Sequence, residues 1–376
     1  MTGGHGRGRP KGAFATTVED VRSGRPKGAS PTAVEDARSG RPKGASPTTV
    51  EDALQGVLAL TRAVLIICLT AVSASAGERY ALIVTGASGG PQYAKQYDSW
   101  RSSFVNTLRD SWNYPDDHVY VLAEKESDGV ALSTRENVRR VLGELRAKAT
   151  KDDVVLVLLI GHGTGLDSDE AKFNLVGPDL SAAEWADLLR PIAGRLVFVD
   201  TASGSFPFLE RLSARGRIVI TADENAQQQF ETVFPGFFVK AFNDESADLD
   251  KRGRVSVWEA FVYASDGVQR WFEEKNQLAT ERAVLDDNGD GIGREADGPG
   301  TDGLLAQVTY VQPDRPIIET GDTELTGLMR RRVELENELE ALRARKPTMD
   351  PDEYETALEK ILLEIAQIDR RVRSKS

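Results

Sequence analysis

Val154-Val155-Leu156-Val157-Leu158-Leu159-Ile160-Gly161-His162-Gly163-Thr164-Gly165 is the stretch on which the fold turns. Its first seven residues are all apolar and largely β-branched, too short a run for an ordinary helix, and they read as a strand buried on both faces. The glycines that follow permit a sharp turn. They leave the His162 imidazole exposed at the carboxyl end of the strand, where open α/β sheets place their sites.

Similar short runs flank this one: Tyr80 to Thr85, Val119 to Leu122, Leu196 to Val199 and Ile218 to Thr221. Helical patterns separate them. Trp100, Phe104 and Leu108 mark a helix over Tyr97 to Trp112, while Ser133-x-x-Glu136 and Ser181-x-x-Glu184 read as capping boxes opening helices that run to Ala147 and Leu189. A longer helix is expected from Val257 to Leu278, burying Phe261, Val268 and Trp271-Phe272, and a last strand from Leu304 to Val311. Strand and helix in alternation predict a three-layer α/β domain over 77–320, with a mainly parallel sheet between helices. Beyond Pro313 and Pro316 the composition shifts to charged helix formers. Leu328, Leu335 and Leu342 recur every seven residues, and Tyr354, Leu358, Ile361, Ile365, Ile368 and Val372 alternate steps of four and three. Residues 321–376 therefore predict an antiparallel helical hairpin with coiled-coil character, turning near Lys346-Pro347 to Asp350-Pro351, that packs on the domain or pairs with a second copy.

Before the domain, residues 1–52 hold three copies of a 16-residue GRPKGAxxTxVEDxxS unit too poor in apolar residues to order itself, and this region is expected to be disordered or untranslated. Arg7-Gly8-Arg9-Pro10 resembles an AT-hook, but a formal charge of -12 argues against nucleic acid as a partner. Residues 53–76 read as a signal peptide: Arg62, an apolar run from Ala63 to Val72 of about ten residues, too short for a stable membrane span, and Ala74-Ser75-Ala76 as the cleavage site. A start near Val57 would give it ordinary length. Export to the periplasm or beyond follows. The chain has one cysteine, Cys68, inside that segment, and three histidines, His5, His118 and His162, so neither a disulfide framework nor a Cys/His zinc site can be built.

Asp200-Thr201-Ala202-Ser203-Gly204-Ser205 closes the run from Leu196 to Val199, with Thr201 39 residues after His162, enough for one crossover helix. A His-Gly turn after one strand and a nucleophile loop after the next resembles the caspase and legumain cysteine peptidases. The loop is similar to legumain's Ala-Cys-x-Ser-Gly-Ser, with Thr201 in the cysteine's place. The resemblance covers roughly residues 78 to 311. It implies a caspase-like domain in which His162 is the general base and Thr201 the nucleophile position, with Gly161, Gly163, Asp200, Ser203 and Gly204 shaping the groove. An alcohol is far less acidic than a thiol, and Thr201 is internal, so it lacks the free amine that activates threonine nucleophiles. The expectation is a pseudopeptidase that binds protein or peptide without cutting it. The alternative is a peptidase using His162 with Thr201, Ser203 or Ser205. A second alternative, an NAD(P)-dependent oxidoreductase, rests on Thr85-Gly86-Ala87-Ser88-Gly89-Gly90. That segment resembles the glycine-rich loop of short-chain dehydrogenases, but the family's Tyr-x-x-x-Lys has no counterpart: Tyr93 leads to Tyr97, and Tyr97 to Arg101.

No cofactor is required by this chemistry, though calcium is a candidate ligand. Asp286, Asn288, Asp290, Gly291 and Asp297 fall at positions 1, 3, 5, 6 and 12 of a calcium-loop pattern, with Glu295 or Asp302 as further donors. A second match, Asp248, Asp250, Gly253 and Glu259, carries Arg252 at its fifth position, where a cation would meet a positive charge.

Overall fold

The computed structural model describes residues 77–164, 171–298, 300–314, 322–346 and 349–375. The repeats, the AT-hook-like arm, the signal peptide with Cys68, and Gly165 lie outside the described residues.

Along the chain run β1 (Arg79–Thr85), α1 (Pro91–Asn106), β2 (Val119–Ala123), β3 (Ala131–Leu132), α2 (Arg135–Lys148), β4 (Val154–Ile160), β5 (Gly163–Thr164), β6 (Lys172–Phe173), β7 (Leu180–Ser181), α3 (Ala182–Leu189), β8 (Arg195–Asp200), α4 (Phe206–Leu212), β9 (Arg217–Thr221), α5 (Phe234–Ala241), α6 (Val257–Glu274), β10 (Val284–Asp286), α7 (Leu304–Gln307), α8 (Thr323–Arg345) and α9 (Pro351–Lys375). The seven-stranded sheet has the order β10-β9-β8-β4-β1-β2-β3 and is parallel except for β10. All seven residues of β4 are buried. Val154, Leu156, Leu158 and Ile160 join one core with Phe104, Phe234, Phe238 and Phe261 of α1, α5 and α6. Val155, Val157 and Leu159 join the other with Leu142, Trp185 and Phe208 of α2, α3 and α4. The period of two thus feeds both faces, which explains why the strand shows no polar alternation.

Several expectations change. The first helix starts six residues earlier than Tyr97, because Pro91 is preset for a first helical position, and it ends in a π-helical turn over Thr107–Ser111. The Ser133 capping box does not form. Ser133 is buried beside the sheet, its N–H bonded to the Ala123 carbonyl, and Thr134 caps α2 by accepting from the Asn137 amide at 3.3 Å. The Ser181–Glu184 box is present at α3. α6 stops at Glu274, and Asn276 turns left-handed at φ 53°, so Leu278 is 90% exposed. The strand expected from Leu304 to Val311 is instead the short helix α7, whose first turn is fastened by Asp287 accepting from the Gly303 and Ala306 amides. The sheet edge is taken by Val284–Asp286, whose three residues are too few to show a period.

The hairpin forms as α8 and α9. Leu328, Leu335 and Ile368 meet in its seam, and the pairs Arg331–Glu364 at 2.9 Å and Arg371–Glu324 at 2.7 Å fix the antiparallel register. Such exposed pairs contribute roughly 0–1 kcal/mol each, so the apolar seam carries most of the stability. Residues 347 and 348 of the bend lie outside the described residues. No described helix is long and apolar enough to cross a membrane.

Candidate functional site

Two turns meet at the carboxyl edge of the sheet, one after β4 and one after the neighbouring β8. In the first, glycine is a packing requirement. A Cβ on Gly163 would lie 2.3 Å from the Ser203 carbonyl oxygen, and one on Gly161 would lie 3.0 Å from the Phe173 ring. The His162 carbonyl accepts from the Asn174 amide at 3.0 Å, which ties the turn to the small antiparallel sheet β5-β6-β7.

The His162 ring is half-buried. Its Nε2 lies 3.1 Å from the Ser88 carbonyl and 3.2 Å from the Tyr97 hydroxyl. A carbonyl can only accept, so the proton is assigned to Nε2 and Nδ1 is the basic nitrogen. Tyr93 meets the ring edge-on at 5.0 Å and Tyr97 at 5.6 Å. Glu231 completes the cluster: burial raises its carboxyl above the usual range, while His162 and the Tyr93 and Tyr97 hydroxyls pull it down. Its Oε1 is buried and has no hydrogen-bond partner. Burial, with Glu231 and Tyr93 nearby, drives the Tyr97 phenol far up, so that it stays protonated.

The second turn faces inward. Thr201 is 0% exposed, and its Oγ1 donates to the Leu159 carbonyl at 2.6 Å, the same carbonyl that receives the Thr201 amide at 3.0 Å. The Thr201 carbonyl in turn accepts from Thr232 Oγ1. Asp200 is buried, with Oδ1 on the Ala202 amide and Oδ2 without a partner, and burial pushes its carboxyl up to about 7 against that amide. Gly204, at φ 65°, donates its amide to Asp223 Oδ2 at 2.7 Å. Asp223 is pushed up to about 8 by burial, with Glu281 and Asp200 adding to it and the Gly204 and Ser205 amides opposing. Ser203 is buried, and Ser205 Oγ accepts from the Ala222 amide. Glu281 accepts from the Val233 and Phe234 amides, capping α5, and burial pushes it up to about 7.

The topology thus brings the His162 turn and the 200–205 loop together, with Gly163 against Ser203. It does not join His162 to a hydroxyl of that loop, since its hydrogen bonds among the described residues run to Ser88 and Tyr97. The Thr85 to Gly90 segment serves the same site: the Gly86 amide bonds to the Ile160 carbonyl, Ser88 Oγ bonds to Glu124, and the Ser88 carbonyl holds the histidine. A Cβ on Gly86 would lie 2.3 Å from the Asn174 carbonyl, so its glycine answers to packing.

Of the acidic loops, Asp286, Asn288 and Asp290 form a tight turn in which the Asp286 carboxylate accepts from the Gly289 and Gly291 amides and Asp290 from Ile292. Asp302 accepts from the Asp287 and Asn288 amides, and no described contact draws Asp297 into the turn. Among the described residues, the carboxylates that do converge are Asp248, Asp250 and Glu259, within 4.8 Å of one another. There Arg252 Nε lies 3.0 Å from Asp250, while Glu259 accepts from the Leu249 and Asp250 amides and caps α6.

No model of a known protein family matches this chain. No curated protein matches it either. Among solved structures it is similar to protein GSU0716 from Geobacter sulfurreducens, at 12% identity and a TM-score of 0.37, covering 56% of this chain and 92% of that one.

Proposed function

We propose that the domain binds a protein or peptide segment at the His162 edge of the sheet without cutting it, as a silent relative of the caspase and legumain peptidases. The observation that carries this reading is the Thr201 hydroxyl, which is fully buried and spent on the Leu159 carbonyl. A nucleophile needs its hydroxyl within hydrogen-bond reach of the base and open to the substrate, and Thr201 meets neither condition. Ser205 is likewise committed, to Ala222. His162, by contrast, stays half-exposed, oriented by Ser88 and the buried Tyr97, and with the half-buried Tyr93 it forms an amphipathic edge suited to recognition. The motifs behind the family resemblance are Gly161-His162-Gly163 and Asp200 to Ser205. Export places the partner outside the cytoplasm, and the hairpin α8–α9 offers a second contact surface, including one for a second copy of the chain.

The test is capture from a diverse peptide library by the purified protein, with every retained peptide read by mass spectrometry. Retained peptides should be intact, and His162→Ala should release them. Because position 201 is sealed, Thr201→Cys should stay unlabelled by thiol-reactive peptide probes. Retention that is indifferent to His162→Ala would remove this edge as the binding site.

A further inference from the structure

We infer that the bound segment is recognised through a cationic side chain, lysine or arginine, received by Glu231 beside Tyr93; this rests on the peptide-binding reading. Within the His162 cluster one carboxylate oxygen of Glu231 is left without a hydrogen-bond partner, although the Tyr93 and Tyr97 hydroxyls act on its carboxyl. Its Oε1 is buried and meets no donor, whereas His162 has the Ser88 carbonyl and the Tyr97 hydroxyl. A buried carboxylate oxygen without a donor costs free energy that a bound ammonium or guanidinium recovers, because both bring N–H donors and a neutralising charge.

The surroundings match such a ligand. Tyr93 and Tyr97 stack with centroids 6.4 Å apart; Tyr97 is buried, so the half-buried Tyr93 is the ring that can offer a face to a cation. Glu124, bonded to both Oγ and the amide of Ser88, adds a second negative charge behind the Ser88 carbonyl that holds His162. Among the described residues, neither Glu231 nor Glu124 forms an ion pair with a lysine or arginine of the chain. Phe230, 69% exposed, stands next to Glu231 and supplies apolar surface for the methylene stem of a long basic side chain. Burial raises the Glu231 carboxyl while His162 and the Tyr93 and Tyr97 hydroxyls oppose it, and Oε1 is still left without a hydrogen-bond partner. A net charge of -12 would also draw basic segments to the surface.

The experiment measures binding of fluorescent peptides, identical except for lysine, arginine, citrulline or norleucine at one position, by anisotropy with the full chain. Lysine and arginine peptides should bind about tenfold or more tightly than citrulline and norleucine peptides, as expected for a charge-assisted contact. That preference should shrink as salt rises. Glu231→Gln keeps the shape and should erase the preference; should this variant melt early, the salt dependence of the parent decides alone. Equal binding of lysine and norleucine peptides, or a preference that survives in Glu231→Gln, would overturn the inference and leave the peptide-binding reading standing. If none of the peptides binds the parent, that reading fails and takes the inference with it.

Discussion

The turn after β4 and the turn after β8 lie side by side, yet they spend their polar groups in opposite directions. Gly161 to Thr164 holds its backbone through Asn174 and turns an imidazole towards two tyrosines and a glutamate. Asp200 to Ser205 turns its side chains into the domain, onto Leu159, Ala202 and Ala222. Two adjacent loops at one sheet edge thus divide the work: the hydroxyls and carboxylate of the second are packing and hydrogen-bonding elements, while the first leaves a ring half-open. The two turns are therefore expected to respond oppositely to substitution: one in binding, the other in stability.

The largest effect should come where they touch. Gly163→Ala places a methyl group 2.3 Å from a backbone oxygen that cannot rotate away, so both turns must shift. A loss of about 1–3 kcal/mol in denaturant unfolding is expected, together with loss of peptide binding. Unchanged binding in that variant would separate the turns.

Thr201→Ala comes next. Removing a buried hydroxyl and methyl should destabilise by about 1–2 kcal/mol and leave peptide affinity within about twofold of the parent. His162→Ala should show the reverse: under about 1 kcal/mol in stability for a half-exposed side chain, but loss of peptide binding. Calorimetry on the two variants side by side decides whether the contrast holds.

A smaller effect concerns pH. Asp200 and Glu281 are pushed up to about 7 and Asp223 to about 8, all above the roughly 4 of an unfolded carboxyl. The folded state therefore binds more protons than the unfolded one between these values. Stability from these groups is complete below about pH 4 and is lost as pH rises through 7 to 8. Thermal scans should give a higher melting temperature at pH 5.5 than at pH 8.5, and Asp223→Asn should flatten the slope. A slope of opposite sign would mean that the buried carboxyls are not what fastens the 200–205 loop.

Much of this was legible in the residues. The apolar run ending in Gly161 and the companion runs locate the five long strands to within a residue or two, because strands buried on both faces leave a continuous apolar signature. The heptad leucines likewise foretell the hairpin. Local signals fail where tertiary contacts decide: Ser133 is claimed by the sheet, and α7 replaces a strand because Asp287 reaches its first turn. At the site, His162 and the 200–205 loop are readable from their glycines and strand context. Tyr93-x-x-x-Tyr97 stands at helical spacing just after Gly90-Pro91, a signal available for the aromatic wall. Glu231, Asp223 and Glu281 sit in irregular segments without periodicity, and only the fold brings them to the loops they serve. The acidic loops carry a related lesson, since both turn carboxylates onto their own amides, yet among the described residues only the poorer pattern at Asp248 also brings three carboxylates together.

The most direct measurement is a prolonged incubation of the parent protein with the peptides it captures, followed by mass spectrometry over time. The account predicts intact peptides at every time point, because the Thr201 hydroxyl stays on the Leu159 carbonyl and no other hydroxyl of its loop is bonded to His162. Cleavage that proceeds in the parent and disappears in both His162→Ala and Thr201→Ala would contradict it, and would make the two turns a working catalytic pair.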